Sequence, residues 1–190
     1  LEPAAIPLAL YIHMPWCVKK CPYCDFNSHA LPKGQAVQEA TSIVDLPDSA
    51  LPAELEQAYL QALIQDAAQQ QPLAQGRCIS SVFIGGGTPS LISAKGYLWL
   101  FKQLKTLFDF SADCEITLEA NPGTLEHQPF ADYLEAGINR LSLGVQTFDS
   151  AQLQRLGRIH SQDDAMQAIT RAREAGFNRL NFDLMHGLPA

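Results

Sequence analysis

A short phrase occurs twice in this sequence, and it sets the grammar of the fold. Gly137-Ile-Asn-Arg-Leu-Ser-Leu143 returns as Gly176-Phe-Asn-Arg-Leu-Asn-Phe182. Each copy places a helix-ending glycine just before an apolar, β-rich run. Two copies are too few for a solenoid. They fit successive units of a β/α barrel, in which strands alternate with helices. Further runs of the same kind stand at Leu8–Met14, Ile79–Ile84 and Glu115–Ala120, beside those at Arg140–Val145 and Arg179–Met185. All have the length of buried parallel strands. The predicted class is α/β: a partial (β/α) barrel of about five parallel strands, with helices on the outside.

Helical patterns lie between the runs. Pro52 suits a first helical turn, and Leu55, Tyr59, Leu60, Leu63, Ile64 and Ala67 then make an i, i+4 stripe. Ser93 is a candidate N-cap for a helix carrying Leu98, Phe101, Leu104 and Phe108. Another helix, with Phe130 and Leu134, is predicted to end at Gly137. Asp149 is placed to cap a short helix that stops at Gly157. Ser161 with Asp164 has the form of a capping box, opening a helix that closes at Gly176. The irregular stretch 31–51 is rich in Pro, Gln, Ser and Ala, and reads as a surface insertion without chemistry of its own.

Bulk composition narrows the function. With 190 residues, 47% of them hydrophobic, the chain can bury a core, and 1–190 reads as one domain. Its 20 acidic and 13 basic residues give a net charge of −7, which argues against a nucleic-acid partner. No stretch has the length of a membrane span. The apolar opening Leu1–Leu10 is interrupted by Pro3 and Pro7 and has no basic leader, so it is a poor signal peptide. Five cysteines, three of them clustered, suit a reducing compartment, where clustering means metal or redox chemistry rather than disulfides. The chain starts at Leu1 and stops at Ala190 directly after a strand-like run, and so reads as a fragment.

The cluster is Cys17-Val-Lys-Lys-Cys21-Pro-Tyr-Cys24, a C-x3-C-x2-C spacing just after the first strand. Three thiolates can ligate three irons of a [4Fe–4S] cubane and leave the fourth open. An open iron can chelate a methionine moiety, and an electron passed into the bound sulfonium then releases an adenosyl radical. Three plainer readings compete. Zinc could use the three cysteines with His13, Asp25 or His29, although only one C-x2–4-C knuckle of the usual pair is present. Cys21-Pro-Tyr-Cys24 alone reads like a glutaredoxin site, which expects a helix at its first cysteine. The segment Asp25-Phe-Asn-Ser-His-Ala-Leu-Pro32 is a poor helix. Buried cysteines acting as small hydrophobes are the third reading, and Cys78 and Cys114, at the starts of strands, are predicted to be of that kind.

Residues with chemistry recur where strands end. Gly85-Gly-Gly-Thr-Pro89 follows the second strand, and glycines there let a ligand approach the backbone. Glu119 and Asn121 end the third strand, Gln146 the fourth, and Asp183 and His186 the fifth. In β/α barrels chemistry gathers at that face. Strand-end polar residues could equally cap neighbouring helices, and Arg158 could be a solvated surface charge.

Taken in order, these motifs resemble a known family. Tyr11-Ile-His-Met-Pro-Trp-Cys17, the cysteine cluster, Gly85-Gly-Gly-Thr-Pro-Ser90, Glu119-Ala-Asn-Pro-Gly123, Gly144-Val-Gln146, Leu156-Gly-Arg-Ile-His160 and Asp183-Leu-Met-His-Gly-Leu-Pro189 are similar to the HemW haem chaperones. These are radical S-adenosylmethionine (SAM) relatives of the oxygen-independent coproporphyrinogen III oxidase. The resemblance runs from about Leu8 to Pro189. It implies a radical SAM partial barrel, a [4Fe–4S] cluster on Cys17, Cys21 and Cys24, and SAM contacts from Tyr11, Tyr23, Gly86, Gly87, Thr88, Glu119, Gln146, Arg158 and Asp183. The complete barrel would have six strands, so this chain would stop before the last one, with its C-terminal domain absent. The implied function is haem binding and delivery to an acceptor protein in the cytoplasm, with a low-potential electron donor and membrane contact only through the acceptor. The oxidase resembles C-x3-C-x2-C-x-C, and Phe26 stands where its additional cysteine would be. Alternatives are that oxidase activity, in porphyrin biosynthesis, and a zinc-structured binding module. His13, His29, His127, His160 and His186 are haem-ligand candidates by element only.

Overall fold

Five parallel strands make the frame, and helices cover one of its faces. The structure, a computed structural model, describes residues 6–31, 50–123 and 129–188. Most of the predicted insertion 31–51, and His127, lie outside the described residues. In chain order the elements begin with β1 (Leu8–Met14), β2 (Trp16–Cys17) and β3 (His29–Ala30). The central units are α1 (Ala53–Gln70), β4 (Ile79–Gly86), α2 (Ala94–Leu107) and β5 (Phe110–Ala120). The last are α3 (Phe130–Glu135), β6 (Arg140–Gln146), α4 (Ser150–Arg155), α5 (Gln162–Glu174) and β7 (Arg179–Leu184). The main sheet has the order β1-β4-β5-β6-β7, all parallel. All five predicted strands are present, and β7 is at an edge as the sequence expects.

Alternation along the strands divides the sheet's faces. Val82 and Ile84 of β4, Ile116 and Leu118 of β5, and Leu141, Leu143 and Val145 of β6 are buried in the one hydrophobic core. Leu100, Phe101 and Leu104 of α2 and Ala165, Ala168 and Ala172 of α5 join them there. The intervening positions, such as Glu119, Ser142, Gly144 and Asn181, stay partly exposed or polar. The sequence phrase that occurs twice does the same work twice: Gly137 and Gly176, at φ +105° and +103°, end α3 and α5 just before β6 and β7.

The caps follow the sequence closely. The Ser93 side chain accepts from the Gly96 N–H at the start of α2, Asp149 accepts from Gln152, and Ser161 and Asp164 form the reciprocal box. Pro52 differs by one position, serving as N-cap of α1 rather than sitting within its first turn. Two side chains also differ. Leu98 of α2 is 55% exposed, on the face away from the sheet. Cys78, expected to be packed, is exposed, while Cys114 is buried inside the long β5. Glu56, on a helix whose apolar stripe is only partly buried, is itself 7% exposed. Its carboxyl group accepts from Ser93 N–H at 3.1 Å and from Ser93 Oγ–H at 2.5 Å, so a buried polar side chain ties α1 to the start of α2.

Candidate functional site

The loops leaving the C-terminal ends of the strands surround one recess. The cysteine loop contributes Cys17, Cys21, Tyr23 and Cys24, and β4 with its following loop contributes Gly86, Gly87 and Thr88. Glu119 and Asn121 come from the end of β5, Ser142, Gly144 and Gln146 from β6, Asp183 from β7, and Arg158 from the loop after α4. Every residue that the resemblance assigned to the site is therefore at this recess except Tyr11. Tyr11 is 56% exposed, stacks on Phe83 at 6.4 Å between ring centroids, and donates to or accepts from His13 Nδ1 at 3.0 Å.

The cysteine loop is tied at its neck and at its middle. β2 and β3 pair in parallel, Trp16 with His29 and Cys17 with Ala30. His29 N–H donates to Pro15 O at 2.8 Å, and Leu31 N–H to Cys17 O at 3.1 Å. The Lys20 ammonium donates to the Phe26 and Ser28 carbonyls at 3.2 and 3.0 Å, and His13 Nε2 contacts Asn27 O at 2.8 Å. Pro22 and Tyr23 form a turn, with Cys24 N–H donating to Cys21 O, not the helix a glutaredoxin site needs. Among the described residues no three His, Cys, Asp or Glu side chains converge on a single metal-ion position. Both nitrogens of His13 are already engaged. One zinc ion needs its ligands in one tetrahedron, whereas a cubane spreads its thiolates over separate irons.

The glycines line the recess and also allow a close approach of protein to protein. Gly86 has φ +106°, and a Cβ there would lie 2.7 Å from the His13 ring and 2.8 Å from Met14 O. A Cβ on Gly87 would run into Trp16 O. It is the end of β1 and the start of the cysteine loop, not open space, that fill these positions. Gly87 and Thr88 N–H groups donate there, to Met14 O at 2.6 Å and Trp16 O at 2.7 Å. The glycines thus let the loop after β4 press against the cysteine loop.

Among the described residues these polar strand ends serve as no helix cap, and several of them contact neighbouring strands or the glycine loop. Glu119 accepts from the Gly86 N–H at 3.1 Å. Burial pushes its carboxyl above the ordinary glutamate range, the Gly86 N–H offsets part of that, and the Asp183 charge adds to it. Asp183 accepts from Ser142 Oγ–H at 3.2 Å and from Asn181 Nδ2–H at 2.7 Å. Gln146 has φ +66°, a backbone position that few side-chain-bearing residues adopt, and the β6–β7 register shifts beside it. Arg158 is no surface charge. It donates to Asn121 Oδ1, to Gly144 O at 2.6 Å, to Tyr23 Oη at 3.3 Å and to Cys21 Sγ at 3.6 Å. Its Nε is buried and has no hydrogen-bond partner among the described residues. Burial raises the Tyr23 phenol, with Arg158 opposing. Arg158 therefore spans the recess from the cysteine loop to β6. The recess holds about 140 Å³, below the ~300–1,000 Å³ of ordinary small-molecule sites.

Asn121 and Ser142 also belong to the site, Asn121 through Arg158 and Thr88 Oγ1, Ser142 through Asp183. The alternation that puts Ser142 on one face with Gly144 and Gln146 was available in the sequence. His160 is 3% exposed, beneath Val145 O at 3.2 Å, and burial lowers it to about 4.

Comparison with known proteins follows the same lines. Residues 11–190 match the radical SAM superfamily. The heme chaperone HemW of Haemophilus influenzae is 48% identical over 98% of this chain and 45% of its own length. HemW of Escherichia coli is 47% identical over 96% of this chain and 43% of its own. Among solved structures, coproporphyrinogen III oxidase (HemN) from Escherichia coli, described as a radical SAM enzyme, superposes with a TM-score of 0.76. It is 32% identical over 96% of this chain and 38% of that one. The chain spans less than half the length of these curated relatives. With the superfamily matched along nearly all of its length and the recess built at the strand ends, the chain belongs to the radical SAM superfamily.

Proposed function

We propose that Cys17, Cys21 and Cys24 hold a [4Fe–4S] cluster, that the adjoining recess takes SAM, and that the longer protein binds haem and delivers it. Membership of the superfamily implies the two cofactors. The observation that carries the residue assignments is the single recess shared by the three thiols, the glycine loop and the polar ends of three further strands. When bound, the cluster and SAM supply reductive cleavage of a carbon–sulfur bond at the sulfonium.

The chain's own residues bind and orient. Arg158 offers a guanidinium with a free buried Nε–H, suited to the ligand's carboxylate. Glu119 accepts from ribose hydroxyls or the methionine amine, and a positive amine beside it would bring its raised carboxyl back toward ionisation. Gln146, Asp183 and Thr88 offer polar contacts, and Tyr23 closes the side next to Cys21. Gly86 and Gly87 hold the glycine loop against the cysteine loop. Tyr11, outside the recess, would contact a ligand only where that ligand extends over β1.

The chaperone reading rests on relatives at 47–48% identity that carry that name, and on Phe26 in place of the oxidase's additional cysteine. It brings with it a haem-accepting protein, a low-potential electron donor and a cytoplasmic location, which suits five free cysteines. Among the described residues no helix is long and apolar enough to cross a membrane, and membrane contact is assigned to the acceptor. The second reading, decarboxylation of coproporphyrinogen, is favoured by the structural likeness to HemN.

Anaerobic reconstitution tests both. The protein is expected to take up about four irons. Cys17→Ala, Cys21→Ala and Cys24→Ala lose them, while Cys78→Ala and Cys114→Ala keep them. Equal loss from Cys114→Ala would overturn the ligand assignment. Haem transfer without coproporphyrinogen turnover supports the chaperone, and decarboxylated product at enzymatic rates the oxidase.

A further inference from the structure

We propose that Tyr97 and Tyr133 are positioning residues for the glycine loop, which they hold by its backbone carbonyls and so set the affinity for SAM. The inference rests on the reading that the recess takes SAM. After Gly87 the chain stays below the surface: Thr88, Ser90, Leu91 and Ile92 are 1–5% exposed. A buried loop must find partners for its carbonyls, since water does not reach them. On its outer side the Gly87 and Thr88 N–H groups are taken by Met14 O and Trp16 O. On its inner side Thr88 O and Pro89 O accept from Leu91 N–H at 3.0 Å and Ile92 N–H at 3.1 Å within a single tight turn, and the further partners are phenols.

Tyr97 Oη–H, from α2, donates to Pro89 O at 2.7 Å. Tyr133 Oη–H, from α3, lies 3.1 Å from Ser90 O and 3.2 Å from Ile92 O, one proton shared by two carbonyls. Pro89 and Thr88 both line the recess, so these bonds reach the wall itself. The two rings pack at 6.2 Å between centroids and are 2% and 1% exposed. Burial raises both phenols well above their ordinary value, so both remain donors throughout the working pH range. Phenylalanine would fill the same volume, so the hydroxyls are there for the loop. Farther along, Glu56 holds Ser93, closing the segment between two anchored ends.

The test uses the reconstituted full-length protein. Iron content, the EPR spectrum of the reduced cluster and the Kd for SAM are measured for Tyr97→Phe, Tyr133→Phe and the double variant. Ile79→Val, at the other end of β4 and 1% exposed, is the control for general core loosening. The double variant is expected to keep its iron and its cluster spectrum while binding SAM about tenfold more weakly, the effect of one to two lost hydrogen bonds. The control keeps its affinity. Affinity within twofold of the parent overturns the proposal, as does an equal loss in the control. If the double variant fails to fold, the single variants are read against the same limit. A reconstituted parent that binds no SAM overturns the site reading and this proposal with it, whereas a binding parent with unaffected variants overturns only this proposal.

Discussion

Two titratable side chains near the recess are held away from their solution behaviour, and each gives a measurement. Glu119 has a raised folded-state pKa, mainly from burial. The folded protein therefore binds its proton more tightly than the unfolded chain does, and ionised Glu119 lowers stability as pH rises through the carboxylate range. Glu119→Gln keeps an acceptor for the Gly86 N–H and removes the charge. Its melting temperature is expected to match the parent's in acid and exceed it at neutral pH, while SAM affinity falls. A parent that is the more stable at neutral pH would refute the burial argument. His160 has the opposite sign. Its pKa is lowered to about 4, against ~6.5 in the unfolded chain. Its contribution is whole above that unfolded value and is lost as pH falls toward the folded one. His160→Gln should flatten the acid limb of a stability–pH curve between these limits, by up to ~1.4 kcal/mol per pH unit. A parallel acid limb would show that His160 is not the group responsible.

At the scale of elements, the parts legible in the sequence are those whose causes are local. Short apolar, β-rich runs between helical patterns mark parallel strands from local sequence alone, and all five were found. Caps were found at Ser93, Asp149, Ser161 and Gly176 because a cap depends on three or four adjacent residues. The pairing of β2 with β3 was not legible, since two-residue strands have no period, and this pair exists only because the cysteine loop returns on itself. Nor was the burial of Glu56, which depends on Ser93 from another helix. The glycine loop lies between these cases: its glycines were found, and the neighbour that requires them was not. That changes an expectation. Were the space at Gly86 reserved for ligand, Gly86→Val would spare the cluster and weaken SAM binding alone. A Cβ there meets His13 instead, and His13 contacts the Asn27 carbonyl of the cysteine loop. Gly86→Val is therefore expected to lower iron retention as well, with about 1–3 kcal/mol of backbone strain and a similar loss from overpacking. Full iron retention with weakened SAM binding would restore the ligand explanation.

For the whole molecule, β1 and β7 form the two edges of the main sheet among the described residues. β7 pairs only with β6 among the described residues. Its core-side residues become more exposed along the strand: Leu180 is half-buried, Phe182 is 39% exposed and Leu184 60%. Unpaired strand edges with apolar side chains invite pairing with other chains, and proteins ordinarily block them with charge, proline or a cover. β7 has Arg179 and Asp183, but Arg179 is turned to Glu115 at 3.4 Å and Asp183 to Ser142 and Asn181. Each Å² of apolar surface left in water there forfeits about 25 cal/mol. Residues 1–190 expressed alone are accordingly expected to aggregate or melt early, and sequence continuing past Ala190 in a longer chain to raise the melting point. Leu184→Lys should slow the aggregation of residues 1–190 without changing the far-ultraviolet circular dichroism, because it places a charge beside the open edge and removes little packing. Light scattering against time separates the cases. If residues 1–190 stay monomeric and as stable as the longer chain, or if Leu184→Lys has no effect on their association, β7 is not the weak edge and the five-stranded unit closes itself by other means.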